Sequence, residues 1–161
     1  MNAIEIHSLD YTATEKRILS SVTLNVVHNH FVGLVGPNGS GKTSLLRHIY
    51  RVLPVEKRTV FVNGIPLEDY SYKNSARQVT VLKQENSSEF DYSVMEMVLM
   101  GRAPHKSLYD VNTKEDYDCA MNALRFVGMD QCAVELFATL SGGEKQRVLM
   151  ARSLAQETDI L

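Results

Sequence analysis

Gly36-Pro37-Asn38-Gly39-Ser40-Gly41-Lys42-Thr43 decides how the rest of the chain is read, because it fits G-x-x-x-x-G-K-[ST] between an apolar run and a helical pattern. Ahead of it, Phe31-Val32-Gly33-Leu34-Val35 has no helical period, which predicts a buried parallel strand. Behind it, Leu45, Leu46, Ile49 and Leu53 recur at helical spacing until Pro54 stops the helix. In that order, Gly36, Gly39 and Gly41 let the backbone turn inward so that its N–H groups converge on phosphate oxygens, aided by the positive end of the helix. Lys42 is expected to reach the β- and γ-phosphates of a nucleotide, and the Thr43 hydroxyl to hold Mg²⁺.

Composition narrows the setting of this loop. The 161 residues, 44% hydrophobic, have the size and apolar content of one ordinary domain. A formal net charge of −2 provides no broad basic field for nucleic acid or an anionic membrane surface, so no nucleic-acid partner is expected and any membrane connection runs through a protein. No apolar run reaches the length of a membrane span, and the N-terminus lacks the features of a signal peptide, which points to the cytosol. Cys119 and Cys132 have no metal-ligand spacing and read as thiols of a reducing compartment. His28-Asn29-His30 reads as a polar turn rather than a metal site.

Outward from the loop, Ile4 to Leu9 and Val22 to Val26 alternate at period two about a polar turn at 12–16, and predict two strands. Thr59 to Val62, Asn63-Gly64 and Ile65 to Leu67 predict a hairpin with a type I′ turn. Gln78 to Gln84 reads as a further strand, with Gln84 at the C-terminal end where ligands gather in open α/β sheets. From Ser93 the pattern becomes helical: Val94, Met97 and Val98 share a face. Thr113 with Asp116 then starts a second helix, which Gly128 ends.

Leu140-Ser141-Gly142-Gly143-Glu144 places Ser141 and Glu144 at capping-box spacing, with Val148, Ala151, Leu154 and Ala155 on one apolar side of the helix that follows. A helix headed by Ser-Gly-Gly is a second place where an anion can meet unpaired N–H groups.

The two motifs, in this order and separated by a glutamine-ended strand and a helical block, resemble the nucleotide-binding domain of ABC transporters, over essentially the whole chain. The resemblance implies a P-loop α/β fold with an antiparallel β layer and an inserted helical subdomain. Residues 1–87 would hold the β layer, Walker A core and Q-loop, 88–139 the helical subdomain, and 140–161 the signature motif and its helix. It implies ATP and Mg²⁺ as ligands. Gly36, Pro37, Asn38, Gly39, Ser40, Gly41, Lys42, Thr43 and Ser44 correspond to the Walker A loop, with Tyr11 placed to stack on adenine. Gln84 corresponds to the Q-loop glutamine, which contacts Mg²⁺ and, with Lys42, belongs to the catalytic set. Ser141, Gly142, Gly143 and Glu144 correspond to the signature that closes over ATP held by a second ATPase subunit, in a head-to-tail dimer.

The stretch Asp91 to His105, with Gly101-Arg102-Ala103-Pro104-His105, is similar to importers of iron-siderophores, haem and vitamin B12. That implies partners in the membrane permease and, indirectly, a substrate-binding protein, with the subunit peripheral on the inner face of the cell membrane. The alternatives are a non-catalytic fragment retaining partial nucleotide or partner binding, and a soluble ABC protein of translation or DNA repair; a GTPase would need an Asn-Lys-x-Asp motif, which does not occur.

The resemblance departs after Thr158-Asp159-Ile160-Leu161, where the family continues into the Walker B strand, its aspartate and the catalytic glutamate. From the residues given, an incomplete central sheet with an exposed apolar face is expected, and little activity alone.

Overall fold

The computed structural model describes residues 2–82, 91–107 and 109–161. These form two compact units that meet in sequence between Gln78 and Val79.

In the first unit, strands β1 (Asn2–Ala13) and β2 (Lys16–Val27) form a long antiparallel pair joined at Thr14-Glu15. Strands β3 (Val60–Val62) and β4 (Ile65–Pro66) extend it, in the order β2-β1-β3-β4. Asn63 and Gly64 carry φ angles of 50° and 76°, the turn expected from Asn-Gly. Along β1, Ile4 and Ile6 are buried two apart, but the next buried residue is Leu9. A bulge resolves the mismatch: the register with β2 shifts between Ile6 and Leu9, and Ser8 takes φ 48°. Val60, Val62 and Leu67 are buried with them, as are Leu45, His48 and Ile49 of helix α1 (Lys42–Ile49).

Three sequence expectations are corrected. Phe31 to Val35 form no strand; Phe31 is 102% and Val35 90% exposed. A parallel strand exists only as part of a ladder, and among the described residues no strand runs beside this segment. Second, α1 stops at Ile49, before Leu53: the N–H groups of Val52 and Leu53 both donate to Arg47 O, at 2.9 and 3.0 Å, and Arg51 turns to φ 58°. Third, among the described residues of the strand expected at 78–84 there is one parallel bridge, Val79 to Ile160; Lys83 and Gln84 lie outside the described residues.

The second unit is helical. A short helix, α2 (Tyr72–Ala76), closes the first unit; in the second, α3 (Val94–Leu99), α4 (Lys114–Phe126) and α5 (Gly142–Ala155) enclose one core, with Val94, Val98, Leu124, Val148 and Leu149 at its centre. Each starts with a reciprocal capping box: Ser93 with Glu96, Thr113 with Asp116, Ser141 with Glu144. Gly128, at φ 68°, ends the α4 segment as expected. The signature helix α5 shares this core with α3 and α4.

A tight 3-10 turn, Met100–His105, follows α3. A Cβ on Gly101 would lie 2.2 Å from the carbonyl oxygen of Arg152. Only glycine allows this turn to reach the backbone of α5.

Candidate functional site

The glycine loop is held against the sheet at its far end. A Cβ on Gly41 would meet Leu19 Cδ2 at 2.7 Å and Ile18 O at 3.0 Å, and Gly41 itself sits at φ 90°, so both space and conformation demand glycine there. Gly39, at φ 80°, needs it for conformation alone. With Gly41 as its N-cap, α1 begins without a side-chain cap and has no acidic residue in its first turn. Helices α2 to α5 are capped by serine or threonine. The first N–H groups of α1 thus remain available to an anion.

A cavity of about 280 Å³ lies over this end of α1, lined by Ile18, Asn38, Gly39, Ser40, Gly41, Lys42, Thr43 and Ser44. Lys42 Nζ folds back over the loop, donating to Gly36 O and Pro37 O at 2.7 Å each and reaching Ser40 Oγ at 3.5 Å. Its charge is thereby held against the loop backbone. Residues 36–40 and Thr43 are exposed, so the Thr43 hydroxyl is open to a cation shared with phosphate. Donor set, cavity and uncapped helix fit a nucleotide phosphate chain with Mg²⁺.

Tyr11 does not line this cavity. Half-buried on β1, it packs edge-on against His48, with ring centroids 4.7 Å apart. His48 is 1% exposed and its Nδ1 lies 2.7 Å from Ser44 O, one turn back along α1. Neither His48 nor Ile18 was singled out in the sequence; His48 carries no motif, only its place between Leu45 and Ile49 on the buried side of the helix.

The second candidate lies at the start of α5. Ser141 Oγ donates to Glu144 Oε2 at 2.6 Å and accepts from Glu144 N at 3.4 Å, while Ser141 N donates to Glu144 Oε2 at 2.8 Å. These hydroxyl and amide contacts hold the Glu144 carboxyl below its ordinary range. The carboxylate orients Ser141 and leaves Gly142 and Gly143 to face outward, both exposed. A Cβ on either glycine would meet nothing within 4 Å, and neither has positive φ. Among the described residues nothing requires glycine there, although in a helix glycine costs about 1 kcal/mol relative to alanine. The space accommodates a ligand or second chain approaching the backbone.

His30 Nδ1 lies 2.9 Å from His28 O in the turn after β2. Both cysteines are free. Among the described residues no helix is long and apolar enough to cross a membrane.

A family model described as ABC transporter matches residues 19–161. The ferric enterobactin transport ATP-binding protein FepC of Escherichia coli is 35% identical over 89% of the chain, which spans 53% of that protein. The cobalamin import ATP-binding protein BtuD of Halobacterium salinarum is 35% identical over 98% of the chain, spanning 39% of it. The chain thus covers about half or less of these two relatives. Among solved structures, an inward-facing transporter described as of metal-chelate type matches 97% of the chain and 56% of its own, at 27% identity and a TM-score of 0.80. An ATP-binding cassette in its ADP conformation matches in fold, with a TM-score of 0.86 at 20% identity, over 98% of the chain and 66% of its own.

Proposed function

Because the chain belongs to the ABC transporter family, we propose that it is the ATP-binding subunit of an importer, and that ATP hydrolysis by the assembled protein drives uptake of a metal chelate such as an iron-siderophore, haem or cobalamin. The observation that carries this reading is the pair of glycine-headed helix ends: one cradled, uncapped and lysine-guarded, the other kept open by glycines the fold does not need.

Residues 36–44 would hold the phosphates, with backbone N–H groups and Lys42 matching their charge and the Thr43 hydroxyl on Mg²⁺. The metal, when bound, neutralises charge on the phosphate oxygens. Tyr11 would reach the adenine after leaving His48, and Gln84 would contact Mg²⁺ and sense the permease. Ser141, Gly142 and Gly143 would approach ATP held by the glycine loop of a second subunit, with Glu144 orienting Ser141. One chain then supplies half of each site, and a head-to-tail dimer is required for turnover. The names of the relatives support the cargo class, and a substrate-binding protein would choose within it. The subunit would lie on the cytoplasmic face of the membrane against its permease.

Gly142→Glu tests this reading. The added side chain finds open space within the chain but brings charge and bulk to the phosphate approach. ATP-driven self-association, measured by sedimentation, is expected to be lost while ADP still binds. Association unchanged from wild type would remove the reading.

A further inference from the structure

The segment Gly101 to His105 is fastened to one end of α5, and the signature residues stand at the other. Gly101 packs on the carbonyl of Arg152, Arg102 Nη1 donates to Ala155 O at 2.8 Å, and His105 Nε2 lies 2.8 Å from Gln156 O. The carbonyls that a helix leaves unpaired at its C-terminus are thus met by a cation and an imidazole from the neighbouring turn.

Arg102 is the centre of this fastening. Its side chain is 11% exposed; Nε meets Asp116 Oδ1 at 3.1 Å, and Nη1 meets Glu157 Oε2 at 2.5 Å. Asp116 is in turn the capping-box partner of Thr113, the N-cap of α4, and also pairs with Lys106 at 3.2 Å. One guanidinium therefore ties the start of α4 to the end of α5, and both to the 3-10 turn. The fork geometry of arginine suits this, since a lysine has one nitrogen to divide among the same acceptors.

We propose that Arg102 is a positioning residue for the signature motif. By fixing α5 at its C-terminal end, it sets where Ser141, Gly142 and Gly143 stand at the other. A helix of 14 residues is a rod of roughly 20 Å, and an axial slip at one end is carried to the other. Loss of Arg102 removes the ionic tie between the start of α4 and the last turn of α5, while Ala151, Ala155, Val148 and Leu149 remain in the core, so the helix persists and its N-terminus shifts from its set place. This inference rests on the reading of 141–143 as the contact to ATP on a second subunit.

Arg102→Met and Arg102→Lys in the intact protein test it, with Gly142→Glu alongside. ADP affinity at the glycine loop is expected to stay within about twofold of wild type in all three. ATP-driven self-association should weaken by at least about tenfold in Arg102→Met, as expected for contacts misplaced by an ångström, and by about threefold in Arg102→Lys. Amide exchange should quicken at 142–145 and stay unchanged at 94–99, a split that general loosening of the unit does not produce. Wild-type association in a folded Arg102→Met protein, with Gly142→Glu impaired, overturns the proposal alone. If Arg102→Met does not fold, Arg102→Lys decides, and wild-type association there overturns it. Wild-type association in Gly142→Glu removes the reading beneath it and the proposal together.

Discussion

Replacing Gly101 by alanine adds a single methyl group at the closest backbone approach described between the 3-10 turn and α5. The new Cβ would lie 2.2 Å from Arg152 O and 3.2 Å from its carbonyl carbon. That is about 0.8 Å inside the nearest approach that packed atoms accept, and the obstacle is helix backbone rather than a yielding side chain. The turn must retreat. Overpacking of this kind costs about 1–3 kcal/mol, and a gap of that size forfeits a quarter to a half of the dispersion attraction across it. Arg102 is drawn away from Ala155 O as well, which costs about 1–2 kcal/mol more. Against this, alanine gains about 1 kcal/mol over glycine in helical backbone. We expect a net loss of about 3 kcal/mol for the 79–161 unit, which in a urea melt followed by helical circular dichroism lowers its midpoint by about 2 M, at about 1.5 kcal/mol per molar. Gly128→Ala is the control: its φ of 68° is strained for alanine but its surroundings are open, so about 1 kcal/mol is expected. A Gly101→Ala midpoint within about 0.3 M of wild type would refute the packing argument.

Further outcomes follow from the charged groups. Burial opposes ionisation of Asp116, but the Thr113 amide and hydroxyl, Arg102 and Lys106 overcome it and hold the carboxyl well below the usual range. A depressed folded pKa stabilises above the unfolded value of about 4 and loses that contribution as pH falls through the folded one. Asp116→Asn should therefore be less stable than wild type at neutral pH, with the difference narrowing below about pH 4 in paired thermal melts. Glu144→Gln keeps an oxygen to accept from Ser141 and removes a negative charge from the proposed phosphate approach. ATP-driven association should tighten by about threefold at low salt and return toward wild type as salt screens the charge, which sedimentation at two ionic strengths would check.

Much of this chain was legible because its signals are local. Ser93, Thr113 and Ser141 each find a carboxylate three residues on, and Asn63-Gly64 closes its hairpin through its own dihedral angles. What failed was pairing with partners the local pattern does not name. Phe31 to Val35 is apolar as a central strand is, yet among the described residues it has no ladder, and of the described residues from Gln78 onward only Val79 forms a bridge there. The end of α1 was missed because Pro54 is the loudest stop signal, whereas the chain closes earlier through Arg51 and two amides on Arg47 O. At the glycine loop the cavity is also lined by Ile18, which comes from β2 and which the loop's own spacing does not name. The Arg102 network was equally invisible, since its partners lie 14 to 55 residues away in sequence.

The most direct test of the central claim is calorimetric titration of the intact protein with ATP and Mg²⁺, wild type beside Lys42→Ala. The account predicts saturable binding by wild type and a loss of at least about a hundredfold in the variant, as a charged hydrogen-bond donor is withdrawn from the phosphates. Equal affinity in the two proteins would contradict it.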